Sequence, residues 1–209
     1  MYKMKIFVIH YKKLGYRKTH IIEQFAKCNI TDYEFIEIEK DDSIFEENYS
    51  KREISISIKH FYAYKQISEN YEYGLIVEDD ILLCDDFVNV LHLYIAQLPE
   101  NYDMLFLGDG CNLHIEPDVV IPDKYVYEKC LYPTSWGGDG ASRCVDSYVV
   151  SKKCANQLCQ YIENLSYKIN LPIDWWLNVA ARDNNLKVYW GEPTIVAQRK
   201  PNRRFFSSH

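Results

Sequence analysis

A fully apolar run near the N terminus, IFVI at residues 6–9, restricts the folds that this chain can adopt. A continuous run with β-branched residues is typical of a strand that is covered on both faces, as in parallel sheets. We therefore expect a first strand at residues 5–10. Apolar side chains then recur with helical spacing at residues 21–26, and YEFIEIE at 33–39 alternates with a period of two. Strand, helix and strand in this order predict a right-handed parallel crossover, and hence an α/β fold.

Strand and helix patterns continue to follow one another as far as the C terminus, and this order predicts a mainly parallel, mixed central sheet flanked by helices. Residues 40–51 are charged and are expected to form an exposed loop, and residues 111–146 are expected to be irregular. With no linker or repeat, we expect one domain, 1–209, with a flexible C-terminal tail at 198–209. The further elements are expected as a helix from Ile54 to Ile67, a strand at 74–77, a helix at 87–98, a strand within 102–110, a strand at 147–151, a helix at 154–165, a helix from Pro172, and two short strands in LKVYW and TIVAQ.

Composition narrows the class of protein and of partner. The 209 residues, 24.8 kDa, are enough to bury a core without disulfides or a structural metal. A net charge of −6 argues against a nucleic-acid partner, because phosphate binding needs a basic face. Seven cysteines without a CxxC pair, no leader sequence and no apolar run of transmembrane length lead us to expect a cytoplasmic, intracellular protein without a membrane span.

Three adjacent carboxylates, Glu78, Asp79 and Asp80, follow the apolar run GLIV. They repel one another unless a cation compensates them. They also lie at the C-terminal end of a predicted strand, where ligands bind in open α/β sheets. Mg²⁺ or Mn²⁺ would accept these oxygens and keep positions open for phosphates, so the run indicates a metal–diphosphate site. The alternative is that Asp79 or Asp80 caps the next segment and the other carboxylates are solvated.

Other phosphate-handling classes fit less well. Receiver domains and related phosphatases need an acidic residue after the first strand, where this chain has Ile9, His10 and Tyr11. Neither GxxxxGK[ST] nor GxGxxG occurs, so no glycine loop is available to cradle a phosphate. Any bound phosphate must be held mainly by metal and side chains.

Seven blocks of the sequence form a recognisable series. They are the first strand with its later Arg17, SISIKHFYAYKQI (55–67), YGLIVEDDI (73–81), YDMLFLG (102–108), SYVVSKKCANQL (147–158), PIDWW (172–176) and EPTIVAQR (192–199). In this order they resemble glycosyltransferase family 25, the group of lipooligosaccharide galactosyltransferases and collagen galactosyltransferase domains. The resemblance covers nearly the whole chain, and it departs from the family pattern at Lys59, where the family has serine before His60.

The resemblance implies a GT-A, Rossmann-like glycosyltransferase fold, a UDP-sugar donor, Mn²⁺ or Mg²⁺, and inversion at the anomeric carbon. It implies transfer of a hexose, galactose or glucose, to a saccharide or to a glycoprotein or collagen-like acceptor. The domain also looks similar to those found in giant viruses, so the resemblance extends to a giant-virus member of the family. The alternatives are a catalytically silent nucleotide-sugar or glycan-binding module of the same fold, and a metal-dependent phosphoesterase.

Within this scheme the metal site is assigned to Asp80 as a ligand, with Glu78 as a ribose or outer partner and Asp79 beside them. Asp174 is the candidate base, because it starts a helix beside Trp175 and Trp176, whose rings would pack on a sugar and desolvate the carboxyl. The alternative is a helix-capping aspartate with both tryptophans in the core.

Further residues are candidates for contacts with the substrates. The nucleotide-sugar group comprises His10, Tyr11, Arg17, Lys59, His60 and Gln198. The alternative for the first three is packing within a surface loop. Lys59 and His60 also fit a helix packed behind the metal strand, with His60 as a core histidine. The loop WGGDGASR (136–143) offers Gly138 and Asp139 to the acceptor, with a simple turn as the alternative. The tail residues Arg199, Lys200, Arg203 and Arg204 would close over the diphosphate, and Gln198 or His209 would complete the metal shell, unless the tail is solvated.

Overall fold

The computed structural model describes residues 4–38, 43–47, 49–129 and 143–198. Their helices are long and amphipathic, and most of their strands are short. Two 3-10 turns, Gly110–Asn112 and Pro117–Val119, lie in the segment after β5. The elements are β1 (Met4–Ile9), α1 (Gly15–Lys27), β2 (Tyr33–Ile36), α2 (Lys51–Asn70), β3 (Tyr73–Glu78), β4 (Ile81–Leu83), α3 (Phe87–Gln97), β5 (Met104–Phe106), β6 (Val126–Glu128), β7 (Ser147–Ser151), α4 (Lys152–Glu163), α5 (Ile173–Asp183), β8 (Val188–Gly191) and β9 (Val196–Gln198).

The central sheet has the strand order β2-β1-β3-β7-β5-β8-β6. β1, β2, β3, β5 and β8 run in one direction, and β7 and β6 run in the other. The sheet is therefore mixed and mainly parallel, as predicted. The register pairs Ile9 with Glu78, so the residues after β1 and β3 meet at the same edge.

A second, two-stranded sheet covers part of that edge. β4 and β9 pair antiparallel, with Ile81 opposite Gln198, and Gly108 forms an isolated bridge to Val196. This pairing carries the C-terminal part of the described chain back over the strand ends. It is the reason that Gln198 reaches the carboxylates of β3.

Hydrophobic cores lie on both faces of the sheet. Phe7 and Ile9 point into the core under α2, α4 and α5, whereas Ile6 and Val8 point into the core under α1 and α3. This arrangement confirms the prediction that the first strand is covered on both faces. Within the described ranges, no helix is both long enough and apolar enough to cross a bilayer.

The structure corrects three predictions at the element level. Helix α2 begins at Lys51 rather than at Ile54. The segment before it is not simply an exposed loop, because Phe45 is buried and bridges to Ile169. The stretch 111–146 contains strand β6, which pairs with β8, and the expected irregular part at 130–142 lies outside the described residues.

Candidate functional site

The ends of β1 and β3 bring His10 and the acidic run together. His10 Nδ1 lies 2.6 Å from Asp79 Oδ2. Arg17, from the first turn of α1, donates to Asp79 Oδ1 at 2.9 Å and lies 3.0 Å from Asp80 Oδ2. Asp79 is therefore held from two sides and is almost fully buried. The contacts fit a positioning role for Asp79 better than that of an open metal ligand.

The positive charge of Arg17 offsets part of the electrostatic repulsion between the adjacent aspartates. Its burial disfavours the charged guanidinium, but the carboxylates of Asp79 and Asp80 outweigh that effect and raise the pKa of Arg17. The pKa of Asp80 is nevertheless raised, because burial and the charge of Asp79 exceed the opposing effect of Arg17. The site remains short of positive charge.

The lack of nearby positive charge also affects the pKa of Glu78, the last residue of β3. Burial of its carboxyl, followed by the charges of Asp80 and Asp146, raises the pKa of Glu78 to about 8. Gln198 Nε2 donates to Glu78 Oε2 at 3.3 Å, which opposes the shift. Without a cation nearby, Glu78 holds a proton at neutral pH.

A further carboxylate, Asp146, belongs to this group and was missed in the sequence. It precedes β7, which runs antiparallel to β3, so its backbone carbonyl accepts from Glu78 N at 2.8 Å. Its side chain is buried over Gly108 and accepts from Ser147 Oγ at 2.8 Å. Burial, with smaller contributions from Asp109 and Asp80, raises the pKa of Asp146 to about 7. Asp146 was missed because its position depends on the direction of β7, and the sequence pattern does not reveal that direction.

The oxygens at this edge fit a hard divalent cation. Asp80 Oδ1 and Asp146 Oδ2 are buried and have no hydrogen-bond partner among the described residues. Carboxylate oxygens are the ligands that Mg²⁺ and Mn²⁺ prefer. Within the described ranges no three His, Cys, Asp or Glu side chains converge closely enough to enclose an ion. Substrate oxygens or water would therefore have to supply several of its ligands.

A cavity of about 670 Å³, the large cavity, opens in front of these strand ends. Its walls come from β1, α1, α2, the acidic run and β9. Most of the predicted nucleotide-sugar residues line it. They are His10, Tyr11, Arg17, Lys59 and Gln198.

A second cavity of about 390 Å³, the small cavity, adjoins the first. It contains Asp174, whose Oδ1 accepts from Trp175 N at 3.0 Å and whose pKa is raised by burial despite that bond. Polar groups surround the space, including Ser50, Glu53 and Cys144. Four residues line both cavities, and they are Arg52, Ile56, Glu78 and Gln198.

The structure removes two predicted residues from the site. His60 is fully buried, and its Nδ1 lies 2.7 Å from the hydroxyl of Tyr148, so it is a core histidine. Trp176 is also buried and packs on Phe61, with ring centroids 4.9 Å apart, because its helix face points to the core. Trp175 is 42% exposed. The predicted loop residues Gly138 and Asp139, and the tail from Arg199 to His209, lie outside the described residues.

Comparison with known proteins gives a family and a fold. The model of glycosyltransferase family 25 (LPS biosynthesis protein) matches residues 3–177. No curated protein matches the sequence.

Two solved structures are similar over most of their length. A glycosyltransferase involved in the glycosylation of the major capsid of PBCV-1 has a TM-score of 0.53 at 10% identity, with 93% of this chain and 93% of that chain covered. The galactosyltransferase LgtC, in complex with donor and acceptor sugar analogues, has a TM-score of 0.52 at 11% identity, with 96% and 90% covered. At these identities the similarity concerns the fold alone.

Proposed function

Because this chain belongs to glycosyltransferase family 25, and is a glycosyltransferase with the GT-A fold, we propose that it transfers a hexose, galactose or glucose, from a UDP-sugar. The acceptor is a hydroxyl of a saccharide or glycoprotein, and the transfer inverts the anomeric centre with the help of Mn²⁺ or Mg²⁺. One observation carries the proposal: two adjoining cavities meet at Glu78, the carboxylate that ends β3.

The large cavity is the proposed donor site. Its volume suits a nucleotide sugar. Flat and cationic side chains line its walls, and the carboxylates at the strand ends form its acidic floor. Tyr11 is 39% exposed and can stack on the base, while His10 and Arg17 are fixed by Asp79. These residues would bind the nucleoside and orient the diphosphate toward Asp80.

Asp80 is the proposed first ligand of the metal, because its Oδ1 is buried without a partner among the described residues. Glu78, beside it, is the second candidate ligand or a ribose contact. When bound, the metal would supply positive charge to the leaving diphosphate. Asp79 would position Arg17 and His10 beside the nucleotide.

Asp174 is the proposed base for the acceptor hydroxyl. It lines the small cavity, which touches the donor site at Glu78. Its pKa is raised by burial, which makes the carboxylate a better proton acceptor. A sugar in this cavity would meet carboxylates, an amide and a hydroxyl, the groups that recognise saccharide hydroxyls.

The test is calorimetric titration with UDP, with and without Mn²⁺, on wild type, Asp80→Asn and Asp85→Asn. Asp85 is an exposed aspartate five residues along the chain and serves as the matched control. We expect binding that needs Mn²⁺ and is lost only in Asp80→Asn. Absence of UDP binding in wild type would refute the donor assignment.

A turnover assay separates the proposal from its alternatives. Wild type with Mn²⁺ should release UDP from UDP-galactose or UDP-glucose, and Asp174→Asn should bind UDP normally but lose turnover by about 100-fold or more. Binding without turnover for any acceptor would favour a silent module. Cleavage of simple phosphate esters, with no use of UDP-sugars, would favour a phosphoesterase.

A further inference from the structure

Helix α2 presents a row of cations to the large cavity. Lys51, Arg52 and Lys59 all line it, together with Ser55 and Ile56 between them. Residues about four and seven positions apart share one face of a helix, so these side chains lie along the same wall. That wall faces the carboxylates at the ends of the strands.

The charges of the two walls differ in how they are compensated. On the strand side, Arg17 pairs with both Asp79 and Asp80. On the helix side, Lys51 and Arg52 make no ion pair within the part of the chain that the structure describes. The chain as a whole carries a net charge of −6. The cationic wall of the large cavity is therefore suited to bind an anionic ligand.

Lys59 is a buried and hydrogen-bonded part of this wall. It is 2% exposed, and its Nζ donates to Ser55 Oγ at 2.6 Å. The same Nζ lies 5.8 Å from the ring centroid of Tyr11, the proposed stacking residue. Burying a lysine is costly unless its charge is used, and these contacts keep the ammonium directed at the cavity.

Arg52 occupies a special position, since it lines both the large and the small cavity. It shares that junction with Glu78, at the end of β3. In a donor whose nucleoside lies in the large cavity and whose sugar faces the small one, the bond between diphosphate and sugar lies at this junction.

We propose that Arg52, supported by Lys51 and Lys59, binds the donor diphosphate and stabilises it as the leaving group. This inference rests on the proposed function. As the acceptor oxygen bonds to the anomeric carbon, the bond from that carbon to the diphosphate oxygen breaks. The electron pair stays on the diphosphate, and the proton of the acceptor hydroxyl passes to Asp174. The guanidinium of Arg52 stabilises the added negative charge by donating two parallel N–H hydrogen bonds.

Arg52 and a cation held by the carboxylates at the strand ends would then act on the same diphosphate from two sides. The role of Arg52 should therefore be visible in binding as well as in turnover.

The experiment compares UDP, UMP and uridine by calorimetry, with and without Mn²⁺, in wild type, Arg52→Gln, Arg52→Lys and Lys65→Gln. Lys65 is an exposed cation on the same helix outside both cavities and is the matched control. Arg52→Gln should weaken UDP about tenfold, equivalent to ~1.4 kcal/mol, and leave uridine unchanged. Arg52→Lys should recover part of the loss, and Lys65→Gln should match wild type.

Every outcome decides the question. If wild type binds UDP and Arg52→Gln binds it equally well, the role of Arg52 is overturned while the donor assignment stands. An equal loss for UDP and uridine would also overturn it, because the effect would then not concern phosphate. If wild type binds none of the three probes, the proposed function and this inference fail together.

Discussion

His60 shows how far burial alone changes the chemistry of a side chain. It is fully buried, and burial, followed by the charge of Lys59, lowers the pKa of His60 to about 3. Its Nδ1 contacts the Tyr148 hydroxyl, which in turn lies 2.7 Å from the hydroxyl of Tyr64. The ring is therefore neutral at physiological pH and forms one end of a hydrogen-bonded chain inside the core.

This gives a prediction about stability in acid. The unfolded chain protonates His60 below pH ~6.5 and the folded chain does so only near pH 3, so stability is lost as the pH falls between these values, by at most about 1.4 kcal/mol per pH unit. His60→Asn keeps a polar atom near Tyr148 and removes this contribution, so the stability of the variant relative to wild type should rise as the pH falls. Urea unfolding between about pH 6 and pH 4 measures it. His92→Asn, at an exposed histidine of α3, should keep the slope of wild type; an unchanged slope in His60→Asn would contradict the argument.

Arg17 supports a second prediction at this scale. Arg17→Gln leaves the buried Asp79 and the partly buried Asp80 adjacent and without their shared cation. Because Arg17 is partly exposed, we expect a moderate loss of about 1–2 kcal/mol in the free energy of unfolding. Arg182→Gln breaks an exposed pair with Asp183 and should change it by less than about 0.5 kcal/mol. Equal losses in the two variants would show that the aspartates do not depend on Arg17.

The elements show which parts of the molecule a sequence can reveal. β1 and β3 are continuous apolar runs, so their place in a covered sheet, and the acidic run at the end of β3, follow from local pattern. The three-residue strands β4 and β6 carry too few residues for any period to show. Strand direction is not local either, because the reversal of β7 depends on its neighbours.

The same limit explains the residues that were missed at the site. Asp146 reaches the carboxylates only because β7 begins at the edge where β3 ends. Arg52 lay outside the predicted helix, which was expected to begin at Ile54, so its place on the cavity wall was not foreseen. By contrast, His10, Arg17 and Asp80 follow strands that the pattern locates, and the structure brings all three together.

The close approach of Gly108, after β5, to Asp146, before β7, supports a prediction about packing. A Cβ on Gly108 would lie 2.0 Å from Asp146 Oδ1, so Gly108→Ala must displace that carboxylate. We expect a loss of about 1–3 kcal/mol by chemical denaturation. In the background of Asp146→Ala the same change should be much less harmful, giving a coupling energy above about 0.5 kcal/mol.

Gly15→Ala is the control for that experiment. Apart from its chain neighbours and the backbone of its own helix, no atom of the described residues lies within 4 Å of a Cβ at Gly15. Gly15 opens helix α1, so alanine should be neutral or slightly stabilising there. Additive effects of Gly108→Ala and Asp146→Ala would mean that the glycine is not required by the carboxylate.

Across the whole molecule, charge is separated around the site. Carboxylates collect at the edge of the sheet, and cations line the facing wall of α2. The raised pKa values of Glu78 and Asp146, about 8 and about 7, mean that the folded protein binds protons that the unfolded chain releases. Their contribution to stability is therefore full below about pH 4 and is lost as the pH rises through 7 to 8.

A divalent cation should reverse that loss, because it binds the ionised carboxylates and competes with their protons. We therefore expect millimolar Mn²⁺ to raise the melting temperature more at about pH 8 than at about pH 6, as measured by scanning calorimetry. Glu78→Gln has no proton to release at this position, so its Mn²⁺-induced shift should differ less between the two pH values. A shift of the same size at both pH values in wild type would show that the ion does not bind at these carboxylates. Mg²⁺, which has the same preference for oxygen, should behave as Mn²⁺ does.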